Sequence, residues 1–559
     1  MPAVTRLKAA LIVLVLWAAI YLPGLGSTEI KGEEGRRILP AVTMLEGGSW
    51  LVPEVGGKPY LRKPPLVNWL IAASFRVTGV RNEWTARMPS ALCVLTLALV
   101  IVALSSGKGW MNPETGLIAA LLAITQFGLL AKARFAGAEI EGIYVPLCGM
   151  AIAVWLAFWT QRRSPWLTWI VPWVFLGLGC LAKGPSLHLL FFYGVVLSVL
   201  CAEREWRKLW HPAHGVGCLV AAGIFLLWAW PFFSSPEAQE AANVWKRQGI
   251  DRFTESDFNL RNYLLNIPRA LMDLMPWILL APGGALLFAG SQPSRAPEEA
   301  GTRASDLEPL RPGYLRAVAI GCSLLFFCLL LVPGVLPRYV LPLGLPFALL
   351  SAFALQSGAV SNRSLRGWFY VNRGLAALLL VLAVGCPVFV CVPTEAHSLE
   401  DAVRAIDLPA LLRAVLASSL CCAVGAWVIA RRFIHLKPID LLFASSALAG
   451  GAALLYATAA IRWINLADDL RPQAAAIHEM VPIGSELVLY DPGYLPATFY
   501  LRKPYRYAMS PGEIPAEASY LIARPSGVKK INKARPEWTT IHTFSRNGKP
   551  ELMVLRRSQ

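Results

Sequence analysis

Charge is scarce in this sequence, and the spacings that hold metals, nucleotides or disulfides are missing from it. Only 16% of the 559 residues are Asp, Glu, Lys or Arg, whereas 56% are hydrophobic, and mean hydropathy is +0.51. One soluble core could not keep so much apolar surface dry, so long uncharged runs crossing a bilayer are the expected form. None of the 11 cysteines has CxxC spacing, and all lie in apolar runs or at their edges. That excludes a disulfide framework and a thiolate metal site, leaving the cysteines as small hydrophobes within spans. His188 stands alone in an apolar run, and no His, Cys, Asp or Glu cluster has metal-site spacing, so neither a metal nor a cofactor is expected. There is no Walker loop, no GxSxG and no GxGxxG after a strand. Internal repeats and low-complexity tracts are also missing.

What is present is basic charge, a formal net +17. It is concentrated in short segments between apolar runs, the positive-inside pattern, with anionic headgroups rather than nucleic acid as its counterpart. Trp and Tyr number 20 and 15, which suits repeated passage through the headgroup region.

Apolar stretches of about 20 residues can cross the hydrocarbon, and about thirteen are predicted here. They are 9–25, 85–106, 114–131, 142–160, 166–182, 185–202, 214–233, 270–290, 315–333, 339–357, 373–392, 409–430 and 440–461. The first follows Arg6 and Lys8 and reads as a retained span with its N-terminus in the cytoplasm. Every second loop then carries basic residues, among them Lys108, Arg162 and Arg163, Arg207 and Lys208, Arg303, Arg366 and Arg431. An odd span count follows, with the tail outside. The segment 291–312, rich in Pro, Glu and Arg, reads as a flexible inner loop. On the outer side the loop 27–84 is long, and two amphipathic pieces in it, 33–46 and 65–77, read as helices lying on the membrane. The segment 462–559 differs from the rest. Short strands are predicted at 487–490, 520–523 and 551–555, bounded by turn residues, which gives a small α/β domain outside the membrane.

Chemistry is expected at the outer surface. Glu29, Glu33 and Glu34 follow the first span, and Glu139 and Glu141 precede the fourth. A carboxylate beside low-dielectric surroundings has a raised proton affinity, which suits a general base; ordinary headgroup-level acids or helix N-terminal charges would look the same. In the run Pro59-Tyr60-Leu61-Arg62-Lys63-Pro64-Pro65, prolines stiffen a backbone that carries adjacent cations able to grip a lipid phosphate. Snorkelling to headgroups is the competing reading, although an anchor needs no stiff backbone. Lys183 in Ala182-Lys183-Gly184-Pro185 and Arg338 in Pro337-Arg338-Tyr339 add cations on the same face. Lys58 reads as a rim residue.

These motifs together resemble the membrane glycosyltransferases that include the bacterial aminoarabinose transferases and, more distantly, the protein O-mannosyltransferases. Glu33-Glu34-Gly35-Arg36 takes the place of an acidic pair followed by arginine. Gly47-Gly48-Ser49-Trp50-Leu51-Val52-Pro53 resembles Gly-Asp-Trp-x-x-Pro. Lys58-Pro59-Tyr60 and Lys63-Pro64-Pro65-Leu66-Val67-Asn68-Trp69-Leu70 resemble the Pro-Tyr and Lys-Pro-Pro-Leu-x-x-Trp-Leu signature. Arg87-Met88-Pro89, the segment Ala133 to Glu139, and Leu181-Ala182-Lys183-Gly184-Pro185 complete the set. The match covers roughly the first 190 residues by motif and the remainder by topology.

The resemblance implies a mainly α, polytopic GT-C-like fold with interfacial helices. It implies inverting transfer of a sugar from a polyprenyl-phosphate donor to a glycolipid or protein acceptor at the outer face of the inner membrane. On this reading Glu33 or Glu34 is the base, Glu139 the second acid, and Lys63, Arg62, Lys183, Arg338 and Tyr60 surround the leaving phosphate. The sequence departs from the pattern with Glu at 33 and 139 in place of Asp, and with Arg62 where a relative can hold a metal-associated acid. A transporter or lipid flippase is the main alternative, but it would place ionisable groups at mid-membrane. A non-catalytic envelope scaffold is the other.

Overall fold

Helix boundaries follow from caps and prolines. In the computed structural model, the N-terminal helix α1 (Arg6–Tyr21) begins at Thr5, whose side chain accepts from the Lys8 amide. A 3-10 turn (Gly32–Glu34) leads into α2 (Gly35–Leu45). Pro65 opens α3 (Leu66–Thr78), and Gly79 ends it in the left-handed region. Asn82 and Thr85 form a reciprocal cap on α4 (Glu83–Leu104). Asn112 and Pro113 open α5 (Pro113–Ile124), which is followed by the single turn α6 (Phe127–Leu130) and the π turn Ala131–Phe135. The bundle continues through α7 (Glu141–Thr160), α8 (Pro165–Lys183), α9 (Leu187–Ala202) and α10 (Pro212–Phe233), then the short α11 (Ala238–Lys246).

The structure describes residues 4–106, 110–135, 137–185, 187–246, 260–280, 312–332, 335–357, 360, 362–391, 408–431, 437–461, 464, 470–482, 484–493, 495–546 and 549–558. Among them, eight helices are long and apolar enough to cross a membrane, and α5 with the bent segment Phe127–Phe135, 57° apart, would make a ninth. The eight coincide with eight of the predicted runs. Three more of those runs, 9–25, 185–202 and 315–333, correspond to the helices Arg6–Tyr21, Leu187–Ala202 and Pro312–Leu331. The run 270–290 is described only in its first part, and the predicted inner loop 291–312 falls almost wholly outside the described residues.

Both amphipathic pieces of the loop 27–84 are helices, α2 and α3, and Asn68 Nδ2 of α3 donates to the Arg37 carbonyl of α2 at 2.7 Å. Between them lies a hairpin, β1 (Glu54–Val55) with β2 (Lys58–Pro59), closed by the Tyr60 amide on the Pro53 carbonyl. Three indoles hold this stretch: Trp69 donates to the Trp50 carbonyl, Trp228 to Leu51 and Trp245 to Leu61. A four-residue turn cannot order itself, so the aromatic cluster of α10 and α11 supplies the restraint.

The C-terminal part holds a five-stranded mixed sheet: β3 (Leu487–Tyr490), β4 (Tyr505–Ala508), β5 (Tyr520–Ala523), β6 (Trp538–Arg546) and β7 (Lys549–Arg557), in the order β4-β3-β5-β7-β6. Alternation puts Val488, Tyr490 and Leu521 under the helix Pro525–Ala534, while Leu487, Leu489 and Ile522 join the core that runs back to the membrane helices. The sheet is docked on the loop 27–84. Glu29 accepts from the Leu470 and Arg471 amides, so it caps the helix Leu470–Met480. Tyr500 bridges the Ile30 amide and Glu83, and Arg471 pairs with Glu83. The Tyr507 amide donates to the Gly56 carbonyl. Gly56 has φ +59°, and a Cβ there would lie 2.4 Å from the Tyr507 ring, so only glycine permits this approach.

Candidate active site

Arg87 builds the floor of the site. Its Nε and one terminal nitrogen close on both oxygens of Glu34, at 2.8 and 2.9 Å, and its remaining donors reach the carbonyls of Leu25, Thr28 and Glu29. The guanidinium therefore ties the chain just after α1, residues 25–29, to α4. Glu34 accepts further from the Lys31 and Ala138 amides. Gly137 lets the chain pass, since a Cβ there would sit 2.7 Å from Arg87 Cβ.

Above this floor is a cavity of about 400 Å³. Its lining includes Glu33, Arg36 and Arg37 from the 3-10 turn and α2, Arg62 and Lys63 from the loop, Glu139 and Glu141 before and at the start of α7, Lys183 at the end of α8, and Arg338 with Tyr339 beside the helix Gly344–Gln356. Six cations thus face three carboxylates. Five elements distant in sequence converge there, and stiff termini fix several of the side chains. Lys183 ends α8 before Gly184, whose φ is +101°, and Pro64-Pro65 halts the chain just after Lys63.

The carboxylates hold the cations in place. Glu141 Oε1 accepts from Lys183 Nζ at 3.2 Å and pairs with Arg338 Nε at 3.5 Å. The same ammonium lies over the rings of Tyr144 and Tyr339, 4.0 and 4.8 Å from their centroids. Glu139 is paired with Lys132 at 3.0 Å. Burial raises the Glu139 pKa above the usual carboxylate value, with Lys132 opposing and Glu141 adding to the rise. Glu33 is half-buried and pairs with Arg36 at 2.5 Å. Arg37 lies farther from Glu33, at 4.0 Å, and 5.6 Å from the Tyr60 ring centroid. Burial lowers its pKa to about 10, so it remains cationic at neutral pH.

Among described proteins, the description dolichyl-phosphate-mannose-protein mannosyltransferase matches residues 62–230 of this chain. An undecaprenyl phosphate-alpha-4-amino-4-deoxy-L-arabinose arabinosyl transferase of Pseudomonas aeruginosa is 30% identical over 359 residues, 62% of this chain and 60% of that protein. A second, from Pseudomonas fluorescens, is 29% identical over 67% of this chain and 61% of that protein. The chain is thus similar to membrane glycosyltransferases over these stretches. It spans about three-fifths of the length of these curated relatives. The crystal structure of ArnT from Cupriavidus metallidurans bound to undecaprenyl phosphate superposes with a TM-score of 0.65 over 98% of this chain and 97% of that one, at 16% identity. What this likeness shows is a shared GT-C-like fold, and the protein is a multi-pass membrane protein.

Set against this family, the predicted residues separate into two groups. Glu33, Arg62, Lys63, Glu139, Lys183 and Arg338 all line the cavity. Glu34 and Tyr60 are not among the lining residues. Glu34 is held in the floor by Arg87, and the buried Tyr60 ring stands behind the wall under Arg37. Lys58, expected at the rim, pairs with Glu513 of the tail at 2.8 Å. Sequence reasoning passed over Arg37 and Lys132, quoted Arg36 and Tyr339 in motifs without giving them a role, and treated Glu141 only as a neighbour of Glu139. Glu141 had a usable signal: it sits two residues from Glu139 at a helix start, where an acid is favoured. Arg37 had none, because a second arginine in an amphipathic helix is an ordinary solvated charge until α3 packs over it.

Proposed function

We propose that this protein transfers a sugar from a polyprenyl-phosphate donor to an acceptor hydroxyl or phosphate on a glycolipid or protein, with inversion, at the outer face of a bacterial inner membrane. The observation that carries the reading is one cavity in which six cations surround Glu33 and Glu139. Such a site suits an anionic leaving group next to a proton acceptor. The acceptor oxygen attacks the sugar C1, the bond from C1 to the phosphate oxygen breaks with its electron pair staying on that oxygen, and the acceptor proton passes to a carboxylate. Glu33 is the proposed base, because it lines the cavity and Glu34 is committed to Arg87. Glu139, whose buried carboxyl holds its proton more tightly than usual, is the proposed second acid that orients or helps deprotonate the acceptor. Lys63, Arg62, Lys183 and Arg338 are assigned to the phosphate, and Tyr60 supports them from behind.

The relatives' names supply the donor class, an undecaprenyl-phosphate-linked 4-amino-4-deoxy-L-arabinose. On the reading proposed here, residues 1–461 form the membrane transferase unit, and residues 462–559 form a small α/β domain on the outer side that steadies the loop. Mass spectrometry of envelope lipids and glycoproteins, with and without this protein, tests the proposal. A sugar of defined mass should vanish from one acceptor when the protein is removed, and identical envelopes would refute it.

A further inference from the structure

Arg37 is a cation of the cavity with two buried guanidinium nitrogens that make no hydrogen bond. Arg36 is satisfied by Glu33, and Lys183 and Arg338 share Glu141. Arg37 also lines the cavity, yet its Nε and one terminal nitrogen are buried and make no hydrogen bond, and its contact with Glu33 is a long 4.0 Å. Buried guanidinium donors without acceptors are costly and uncommon. Its position is nevertheless fixed. Asn68 Nδ2 holds the Arg37 carbonyl at 2.7 Å, and the Tyr60 ring lies 5.6 Å from its guanidinium. Asn68 belongs to α3, whose first turn follows Lys63-Pro64-Pro65, so Arg37 and Lys63 are carried by two helices locked together.

We infer that Arg37 is a further binding residue of this site and receives the leaving phosphate. The inference rests on the function proposed above. The donor is a phosphodiester with one negative charge, whereas the departing polyprenyl phosphate is a monoester that approaches two. The broken C1–O bond leaves its electron pair on the phosphate oxygen, and a guanidinium with two nitrogens that make no hydrogen bond can answer that gain of charge. A group whose hydrogen bonds are completed only as charge develops favours the transition state over the bound donor. These nitrogens are buried, so their attraction for an anion is little screened.

The test uses the full-length protein in lipid nanodiscs and two probes, undecaprenyl phosphate and undecaprenol, with binding read by native mass spectrometry. Wild type should bind the phosphate more tightly than the alcohol. Arg37→Gln should lose at least tenfold in affinity for the phosphate and leave undecaprenol unchanged. Arg37→Lys, which keeps the charge and guards against a folding defect, should recover only part of the loss because the planar guanidinium and its several donors are gone. Equal phosphate affinity in wild type and both variants would overturn the role of Arg37, and so would parallel loss of both probes, the mark of a structural effect. A wild-type protein with no preference for the phosphate would overturn the donor reading itself.

Discussion

Arg87 grips both oxygens of Glu34 with neither side chain more than 3% exposed. The two adjacent acids therefore have different surroundings: Glu34 is enclosed by four hydrogen bonds, and Glu33 opens on the cavity. Removing one partner of a buried pair leaves the other uncompensated, at a cost of about 3–5 kcal/mol. Glu34→Ala should lower the thermal midpoint of the detergent-solubilised protein by many degrees. Glu33→Gln, which breaks only a half-exposed pair worth about 0–1 kcal/mol, should melt near wild type while losing transfer. Equal melting of the two variants would contradict this division of roles.

Lys183 reaches the cavity while bound to Glu141. If its ammonium also meets the donor phosphate, Lys183→Met removes a charge-assisted hydrogen bond of about 1.5–3 kcal/mol. That corresponds to a loss of about 10–100-fold in donor affinity. Titration of undecaprenyl phosphate against the two proteins measures it, and unchanged affinity would remove Lys183 from the phosphate site.

Glu139 has a raised pKa through burial, and Lys132 works against the rise. Its basic form is lost as pH falls through that raised value, so the acid limb of the rate profile should lie above the range of a solvated glutamate. Lys132→Gln removes the opposing charge and should move the limb to still higher pH. A limb unmoved by this substitution would show that Glu139 is not the titrating group.

Gly56 and Tyr507 join the loop 27–84 to the sheet. Gly56→Val would force a side chain into the Tyr507 ring at a positive φ. Overpacking of this kind costs about 1–3 kcal/mol, and the tail from residue 470 should become more sensitive to limited proteolysis. An unaltered cleavage pattern would mean the docking does little to hold the tail.

Much of the fold was legible because its signals are local. Apolar length marked the spans, 3.6-residue amphipathicity marked α2 and α3, and Pro64-Pro65 marked the start of α3. The strands β3, β5 and β7 showed as short apolar runs between turns. The edge strand β4 did not, since Tyr505-Arg506-Tyr507-Ala508 lacks an apolar run, and neither did β6, whose exposed face is polar. In the site, the cations beside proline or glycine were readable because a stiff backbone hinted at purpose. The bond from Glu29 to the Leu470 amide and the docking of Tyr507 on Gly56 join residues more than 400 positions apart. No local pattern encodes such contacts. Arg37 was hidden for the same reason: only its packing under α3 and against Tyr60 distinguishes it from a surface charge.

The central claim is that the cationic cavity holds the donor phosphate during sugar transfer. The most direct measurement is release of polyprenyl phosphate from a purified polyprenyl-phosphate sugar by the reconstituted protein, with envelope lipid extract as acceptor, comparing wild type, Lys63→Ala and Lys58→Ala. Lys63 lines the cavity and Lys58 pairs with Glu513 outside it. Wild type and Lys58→Ala should consume the donor at similar rates, and Lys63→Ala should be slower by about 100-fold, the usual loss when a donor to developing charge is removed. Consumption by Lys63→Ala at the wild-type rate would contradict the account.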